Sequence, residues 1–348
     1  MSDDLHHITK VEISGLWDKF DFGWNLEPDV NVLAGVNGSG KSTVFICIYA
    51  LLELGTIPNK EDVFLATLKI TFDNKKSIFY EHLNVNDSIK NIEEKAKINE
   101  KYQRVLSEIK DSIGRDYRKY RKTKSVHMEM GVTSFENIEM KLEEFHKLIN
   151  IDVVSTFDNS LKQSEAVRKL SNEKVKTELD WNIHNLQKRY LDYQLNISRK
   201  KDAIVEIAGE NIRRDLIALS KPHTLFLNII DSLFDETGKK VNRNENEISF
   251  LLDNKEITPF QLSSGEKQLL IILLTVLLQD GRQSILFMDE PEISLHIEWQ
   301  KKLLKFIRDL NPNVQIILAT HAPGLVMQGW MNKTHEISDL ITAKNEKR

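Results

Sequence analysis

The chain has 348 residues, 41% hydrophobic and 29% charged, with a formal net charge of −4. Its single cysteine, Cys47, excludes an intrachain disulfide framework. No stretch reaches the ~18 continuous apolar residues of a membrane span, and the acidic start Met1-Ser2-Asp3-Asp4 is unlike a secretory signal, so a soluble, cytoplasmic protein of one to three domains is expected.

In chain order, Ile8 to Ile13 reads as a strand, followed by a polar and aromatic turn and by Asn25 to Ala34. The apolar run Val30 to Ala34 leads into Gly35-Val36-Asn37-Gly38-Ser39-Gly40-Lys41-Ser42, and helix-like Thr43 to Leu54 follows. That octapeptide fits a phosphate-cradling loop. Its glycines let the backbone close around a polyphosphate, so that N–H groups of Asn37, Gly38, Ser39, Gly40 and Thr43 and the helix N-terminus face negative charge. Lys41 then reaches the β- and γ-phosphates, and Ser42 offers a hydroxyl to Mg²⁺. Cys47, on the apolar helix behind the loop, is expected to be a buried, inert thiol.

Leu65 to Phe72 and Ser77 to Leu83 are strand-like. Asn86 to Thr123 is free of proline and carries Ile98, Tyr102, Val105 and Ile109 at helical spacing. The segment Arg115 to Lys124 holds six basic residues, one acid and two tyrosines, a composition suited to a nucleic-acid backbone or to an acidic protein. Apolar Ile151 to Ser155 reads as a strand, and Leu179, Ile183, Leu186, Tyr190, Tyr193, Ile197 and Ile204 form a heptad seam of about four repeats. Two readings of these helices stay open: a short antiparallel arm, or two amphipathic helices packed on the main body.

Gln261-Leu262-Ser263-Ser264-Gly265-Glu266-Lys267-Gln268 opens the apolar helical stretch Leu269 to Leu278. Ser284 to Glu290 is a buried-strand pattern ending in two carboxylates, Asp289 placed to hold Mg²⁺ and Glu290 to polarise the attacking water. Ser294-Leu295-His296 follows, and a last apolar run, Val314 to Ala319, ends in Thr320-His321.

In wording and order these blocks resemble the ABC-type ATPases, within the AAA family of ATP-binding proteins. The resemblance implies an α/β fold: a P-loop NTPase with an ABC-type head, a mixed β-sheet flanked by helices, and an inserted helical, coiled-coil-like subdomain. It implies ATP and Mg²⁺ as ligands. It further implies that Ser263, Gly265 and Glu266 form a signature that meets the γ-phosphate held on the opposite subunit. Ser294-Leu295-His296 would be the D-loop, and His321 a switch histidine acting in catalysis with Glu290 and Lys41. Trp17 and Phe20 are candidates to stack on adenine, and Asp158 and Gln163 for the Gln-loop. The 222 positions between Lys41 and Ser263 exceed what such a head needs, which divides the chain into a first half-head at 1–83, a mainly helical insert at 84–222 with a head strand at 151–156, and a second half-head at 223–348.

Leu-Ser-Ser-Gly-Glu, with Asp-Glu-Pro-Glu-x-Ser-Leu-His running on to Trp299-Gln300, looks like the RecF/SMC and OLD-type branch. Ile297 and Ala322 depart from that branch, where proline and serine are usual. With 27 residues after His321, no OLD-type TOPRIM nuclease is expected, which implies a separate effector protein such as a nuclease or toxin. The design is similar to Septu-type or PARIS-type anti-phage ATPases, with heads forming a homodimer or higher homo-oligomer around ATP and no membrane partner. A RecF-like DNA repair ATPase, contacting DNA through 115–124, is the nearest alternative, and a transporter energy subunit a more distant one.

Overall fold

The structure, a computed structural model, describes residues 5–57, 65–87, 89–113, 126–136, 142–154, 175–206, 211–327 and 329–343. The chain begins with β1 (Ile8–Leu16), β2 (Phe20–Asn25), β3 (Val30–Ala34) and α1 (Lys41–Leu54). It continues through β4 (Thr67–Phe72), β5 (Ser77–Asp87), α2 (Ile89–Ala96), α3 (Glu100–Ile113), β6 (Val126–Glu136), α4 (Leu142–Leu148) and β7 (Asn150–Val154). Two long helices, α5 (Glu178–Glu206) and α6 (Ile212–Phe234), precede the short strands β8 (Lys239–Val241), β9 (Phe250–Leu252) and β10 (Lys255–Ile257). Then come α7 (Ser264–Leu278), β11 (Ser284–Asp289), α8 (Ile297–Leu310), β12 (Val314–Thr320), β13 (Thr334–Glu336), α9 (Ile337–Leu340) and β14 (Ile341–Ala343).

Two compact units interleave along this order. The first takes residues 1–28, 39–148 and 336–348, and the second takes 29–38 and 149–335. The first unit is built on a sheet in the order β14-β2-β1-β4-β5-β6, antiparallel throughout. Strand β4 alternates buried and half-buried residues, as a sheet with one covered face requires. Trp24, Phe72, Phe145, Ile48 and Leu51 are fully buried there, with Phe72 and Phe145 in tilted ring contact at 5.5 Å.

The second unit holds a five-stranded sheet in the order β13-β3-β12-β11-β7. Strands β3, β12, β11 and β7 run parallel to one another. Ile285 to Met288 and Val314 to Thr320 are buried at every position, because strands covered on both faces read as continuous apolar runs instead of alternating ones. Every residue of α7 from Gly265 to Leu278 is buried, and from Leu269 on the helix is apolar around its circumference but for Thr275, so it forms the middle of this unit's core. A buried polar chain fixes β7 beside β11: the Gln279 amide donates to Asp152 at 3.0 Å, and the Asn311 amide donates to Gln279 at 2.8 Å.

The seam Leu179, Ile183, Leu186, Tyr190, Tyr193 and Ile197 faces the second unit's core, where α5 packs on α6 and α7. Ile204, near the end of α5, is only half-buried. Helix α3, for which an arm and packing on the main body were both open, packs on α2 and β6, with Val105 and Ile109 buried and Ile98 exposed. Periodicity marks which face is apolar but not which element covers it, and each helix is satisfied by its own unit.

Cys47 is fully buried on α1, and burial pushes its thiol up to about 12. Ellman's reagent should therefore titrate no thiol in the folded protein and one on unfolding. Rapid reaction under native conditions would contradict the packing of α1.

Candidate functional site

The site is assembled by register. Within the parallel sheet Asp289 pairs with Ala319, and Thr320 with Ala34. Three strands thus end at one level: β3, which continues into Gly35–Gly38; β12, which continues into His321; and β11, which continues into Glu290. The carboxyl ends of parallel strands are where open α/β sheets bind ligands.

At the end of β11 the chain turns sharply. Glu290 adopts φ 47°, a left-handed conformation that costs a non-glycine residue about 1–3 kcal/mol and persists only where its surroundings hold it. The Glu290 N–H donates to the Ala319 carbonyl at 2.8 Å, which carries the sheet one residue past Asp289. The turn places the Glu290 carboxylate 3.4 Å from His321 Nδ1, with the Glu292 carboxylate 3.3 Å from the same nitrogen. Glu292 also accepts from the Thr320 hydroxyl and from the His321 backbone N–H at 3.1 Å.

The phosphate-loop glycines are needed for different reasons. Gly38 and Gly40 have φ of 77° and 96°, where any side chain is strained. At Gly40 there is also no room: an ideal Cβ would lie 2.0 Å from the indole of Trp17. Trp17 and Asp18 form the turn between β1 and β2 with φ of 51° and 59°, closed by the Lys19 N–H donating to the Leu16 carbonyl at 3.1 Å. Trp17 therefore lies against the phosphate loop itself, with Phe20 edge-on to it at 6.3 Å. Lys41 opens α1 and is 3% exposed, followed by half-buried Ser42 and Thr43. Asn37 and Gly38 are exposed.

The segment Leu262–Gln268 is held from beneath. Ser263 caps α7, and Glu266 closes the capping box: its carboxylate accepts from the Ser263 N–H and hydroxyl, both at 2.9 Å. The other Glu266 oxygen accepts from Thr237 at 2.9 Å and from the Lys239 ammonium at 2.8 Å. Burial alone would push this carboxyl up, but Lys239, the Ser263 N–H and the two hydroxyls bring it below its ordinary value. Next in sequence, the Lys267 ammonium donates to Asp180 at 2.8 Å, while the Lys176 and Thr177 N–H groups hold the second Asp180 oxygen at the start of α5. Burial opposes ionisation of Asp180 too, and Lys267 with those two N–H groups reverses it.

Glu266 and Lys267 thus point inward, whereas Ser263 and Ser264 are exposed. Gly265 is needed for close approach: a Cβ there would lie 2.3 Å from the Ser294 carbonyl oxygen, so the signature rests directly on the backbone of the D-loop candidate. Ser294 is itself left-handed at φ 69°.

The structure therefore brings Asp289, Glu290 and His321 together, and separately Ser263 and Gly265 with Ser294. The carboxylate of Glu266 is committed to its own chain. Asp158, Gln163 and the basic run 115–124 lie outside the described residues. Two side chains that sequence reasoning left without a role, Glu292 and Thr320, sit at the centre of the first cluster. Their signal was a second acid just after Asp289-Glu290-Pro291 and a hydroxyl just before the histidine. Among the described residues no helix is long and apolar enough to cross a membrane, and no group of three or more His, Cys, Asp or Glu is placed to hold a metal ion by itself.

A parallel sheet whose strand ends carry a P-loop, an Asp-Glu pair and a histidine, with a capped Leu-Ser-Ser-Gly-Glu helix, defines an ABC-type P-loop ATPase head. Residues 30–327 match the family described as "AAA domain, putative AbiEii toxin, Type IV TA system", and the chain belongs to that family. It is similar to the Retron Vc95 probable ATPase of Vibrio cholerae serotype O1 biovar El Tor, with 25% identity over 179 residues, 47% of this chain and 32% of the relative. It is also similar to the Septu protein PtuA of Bacillus thuringiensis, with 23% identity over 167 residues, 44% of this chain and 37% of the relative. The chain spans about a third of the length of each of these curated relatives. Among solved structures it is similar to the SMC head domain from Thermotoga maritima, with 13% identity, a TM-score of 0.44 and 92% of each chain covered.

Removing one member of the buried Lys267–Asp180 pair strands the other charge. Lys267→Met should cost about 3–5 kcal/mol in urea melts at neutral pH. The folded carboxyls of Asp180 and Glu266 lie below their ordinary values of 3.8 and 4.5, so their stabilisation is complete above those values and lost as pH falls through the folded ones. Stability should accordingly hold from neutral pH to about 5 and drop below 4.5, with a shallower drop in Lys267→Met; an equal acid slope in both proteins would show that this pair does not titrate with folding.

Proposed function

We propose that this chain binds Mg²⁺·ATP, hydrolyses it, and uses the cycle to close and open a head-to-tail dimer that controls a separately encoded effector in defence against phage. The observation that carries the reading is the meeting of Glu290 and His321 at the ends of adjacent parallel strands, beside the strand that opens into the P-loop.

Asp289 and the Ser42 hydroxyl are oxygen donors, the type that Mg²⁺ takes, and bound metal would neutralise charge developing on the phosphates. The glycine loop and the N-terminus of α1 hold the polyphosphate, and Lys41 provides its point charge. Glu290 positions and deprotonates water. His321, 45% exposed while its Nδ1 is held, presents its other ring edge to the γ-phosphate. Ser263, an exposed residue whose hydroxyl would turn its hydrogen from Glu266 to the ligand, and the N-terminus of α7 meet the γ-phosphate of the opposite chain, leaving Glu266 to position that loop. ATP favours the closed dimer only through contacts that ADP lacks, so loss of the γ-phosphate reopens it.

The defence role rests on the similarity to the Septu and retron proteins.

Glu290→Gln should bind ATP with affinity close to wild type and turn it over about 10²–10⁴ times more slowly, as expected for loss of a positioned base. Phosphate release and a fluorescent-ATP titration check the two halves. Unchanged turnover would remove Glu290 from the chemistry.

A further inference from the structure

Glu292 follows Glu290 by two residues, across Pro291, yet its surroundings are the opposite. Its side chain is 4% exposed, against 19% for Glu290 and 45% for His321. A carboxylate so buried must be met by donors. One of its oxygens accepts from two, the Thr320 hydroxyl and the His321 backbone N–H at 3.1 Å, and lies 3.3 Å from His321 Nδ1. The Thr320 hydroxyl oxygen in turn accepts from the Ala322 N–H at 2.9 Å, so the turn from Thr320 to Ala322 is wrapped around this carboxylate. The backbone of Glu292 is fixed as well, its carbonyl accepting from the Leu295 N–H at 2.9 Å.

The ring nitrogen at the centre has one position for a hydrogen. Ionised carboxylates only accept, so a lone pair on Nδ1 facing oxygens of Glu290 and Glu292 at 3.4 and 3.3 Å would be repelled by both. Nδ1 therefore carries the proton, and Nε2 is the nitrogen turned away from the two acids. Of the two acceptors, Glu292 is the one locked in place by Thr320 and the backbone. Glu290 is the one whose lone pairs the reaction needs, because an N–H bond from His321 to Glu290 would lower its capacity to take a proton from water.

We propose that Glu292 is the positioning residue for the switch histidine: its buried carboxylate fixes the Nδ1–H form of His321, turns Nε2 outward, and gives Nδ1 a partner other than Glu290. A base and its orienting third group recur wherever proton transfer must be directional, and here the orienter serves the phosphate-facing histidine. The consequence for turnover rests on the reading of Glu290 and His321 given above, whereas the tautomer does not.

Two measurements on the full chain separate the parts. In protein labelled with ¹⁵N-histidine, with the His321 signals assigned from His321→Ala, wild type should show His321 protonated at Nδ1. Glu292→Leu, which keeps a similar volume and removes the acceptor, should lose that form, and Glu292→Gln, whose amide oxygen still accepts, should retain it. In steady-state kinetics Glu292→Leu should lower kcat about tenfold to a hundredfold, the usual cost of removing an orienting partner, with KM for ATP within about threefold. Glu292→Gln should recover most of the loss, and Glu292→Leu should cost nothing further in a His321→Ala background. Glu292→Asp, which only withdraws the carboxylate by one methylene, should shift both readouts in the same direction and serves if the leucine variant melts early. An unchanged Nδ1–H signal in Glu292→Leu, or an equal loss of kcat with and without His321, would overturn the proposal. Absence of turnover in wild type would count against the ATPase reading alone, with the tautomer still deciding the role of Glu292.

Discussion

The parallel register of β3, β12 and β11 is the constraint on which the candidate site depends. Each strand is buried on both faces, so a slip of one residue would exchange its side chains between two differently packed covers, and the pairing is fixed by the core, not by the ligand. Once the register is set, Ala34, Thr320 and Asp289 arrive at one edge together. The bond from the Glu290 N–H to the Ala319 carbonyl extends the ladder one step and sets the direction of the turn that follows. The left-handed backbone of Glu290 is the visible strain of that turn, and it falls on the residue assigned to the chemistry.

A second constraint runs through the signature. Glu266 and Lys267 are consecutive, buried and oppositely charged, and they reach different elements: Lys239 at β8 and Asp180 at the start of α5. Such pairs add little net stability compared with apolar packing, but they permit one arrangement and penalise others. Any displacement of Ser263 must carry α5 and β8 with it or break a buried pair. That places the α5–α6 hairpin, and not an unsupported arm, directly behind the signature, with its seam Leu179 to Ile197 packed into the same core as α7.

The parts of the site that were legible in sequence are those whose chemistry demands a residue type at a fixed spacing. Gly35 to Ser42, Leu262 to Glu266 and Asp289-Glu290 are of this kind, as are the apolar runs that became β3, β11 and β12. The seam of α5 was legible as a periodicity, but its partner was not, because a stripe of apolar residues does not encode what covers it. Pairings across long separations were hidden for the same reason: Asp180 with Lys267, or Glu292 with Thr320, look like ordinary surface residues until the fold joins them. Trp17 was a candidate for adenine stacking as an aromatic in a hairpin turn, and nothing local announces that its ring fills the space above Gly40.

The central claim is that ATP is enclosed by two chains, the P-loop of one and Ser263 with Gly265 of the other. Complementation tests it most directly: Lys41→Ala and Gly265→Asp proteins, each inactive alone, are mixed and ATP hydrolysis is measured. The account predicts that the mixture regains a clear fraction of wild-type turnover, because a mixed dimer contains one site built from two intact halves. A mixture as inactive as its components, while each still folds and the Gly265→Asp protein still binds ATP, would contradict the shared site.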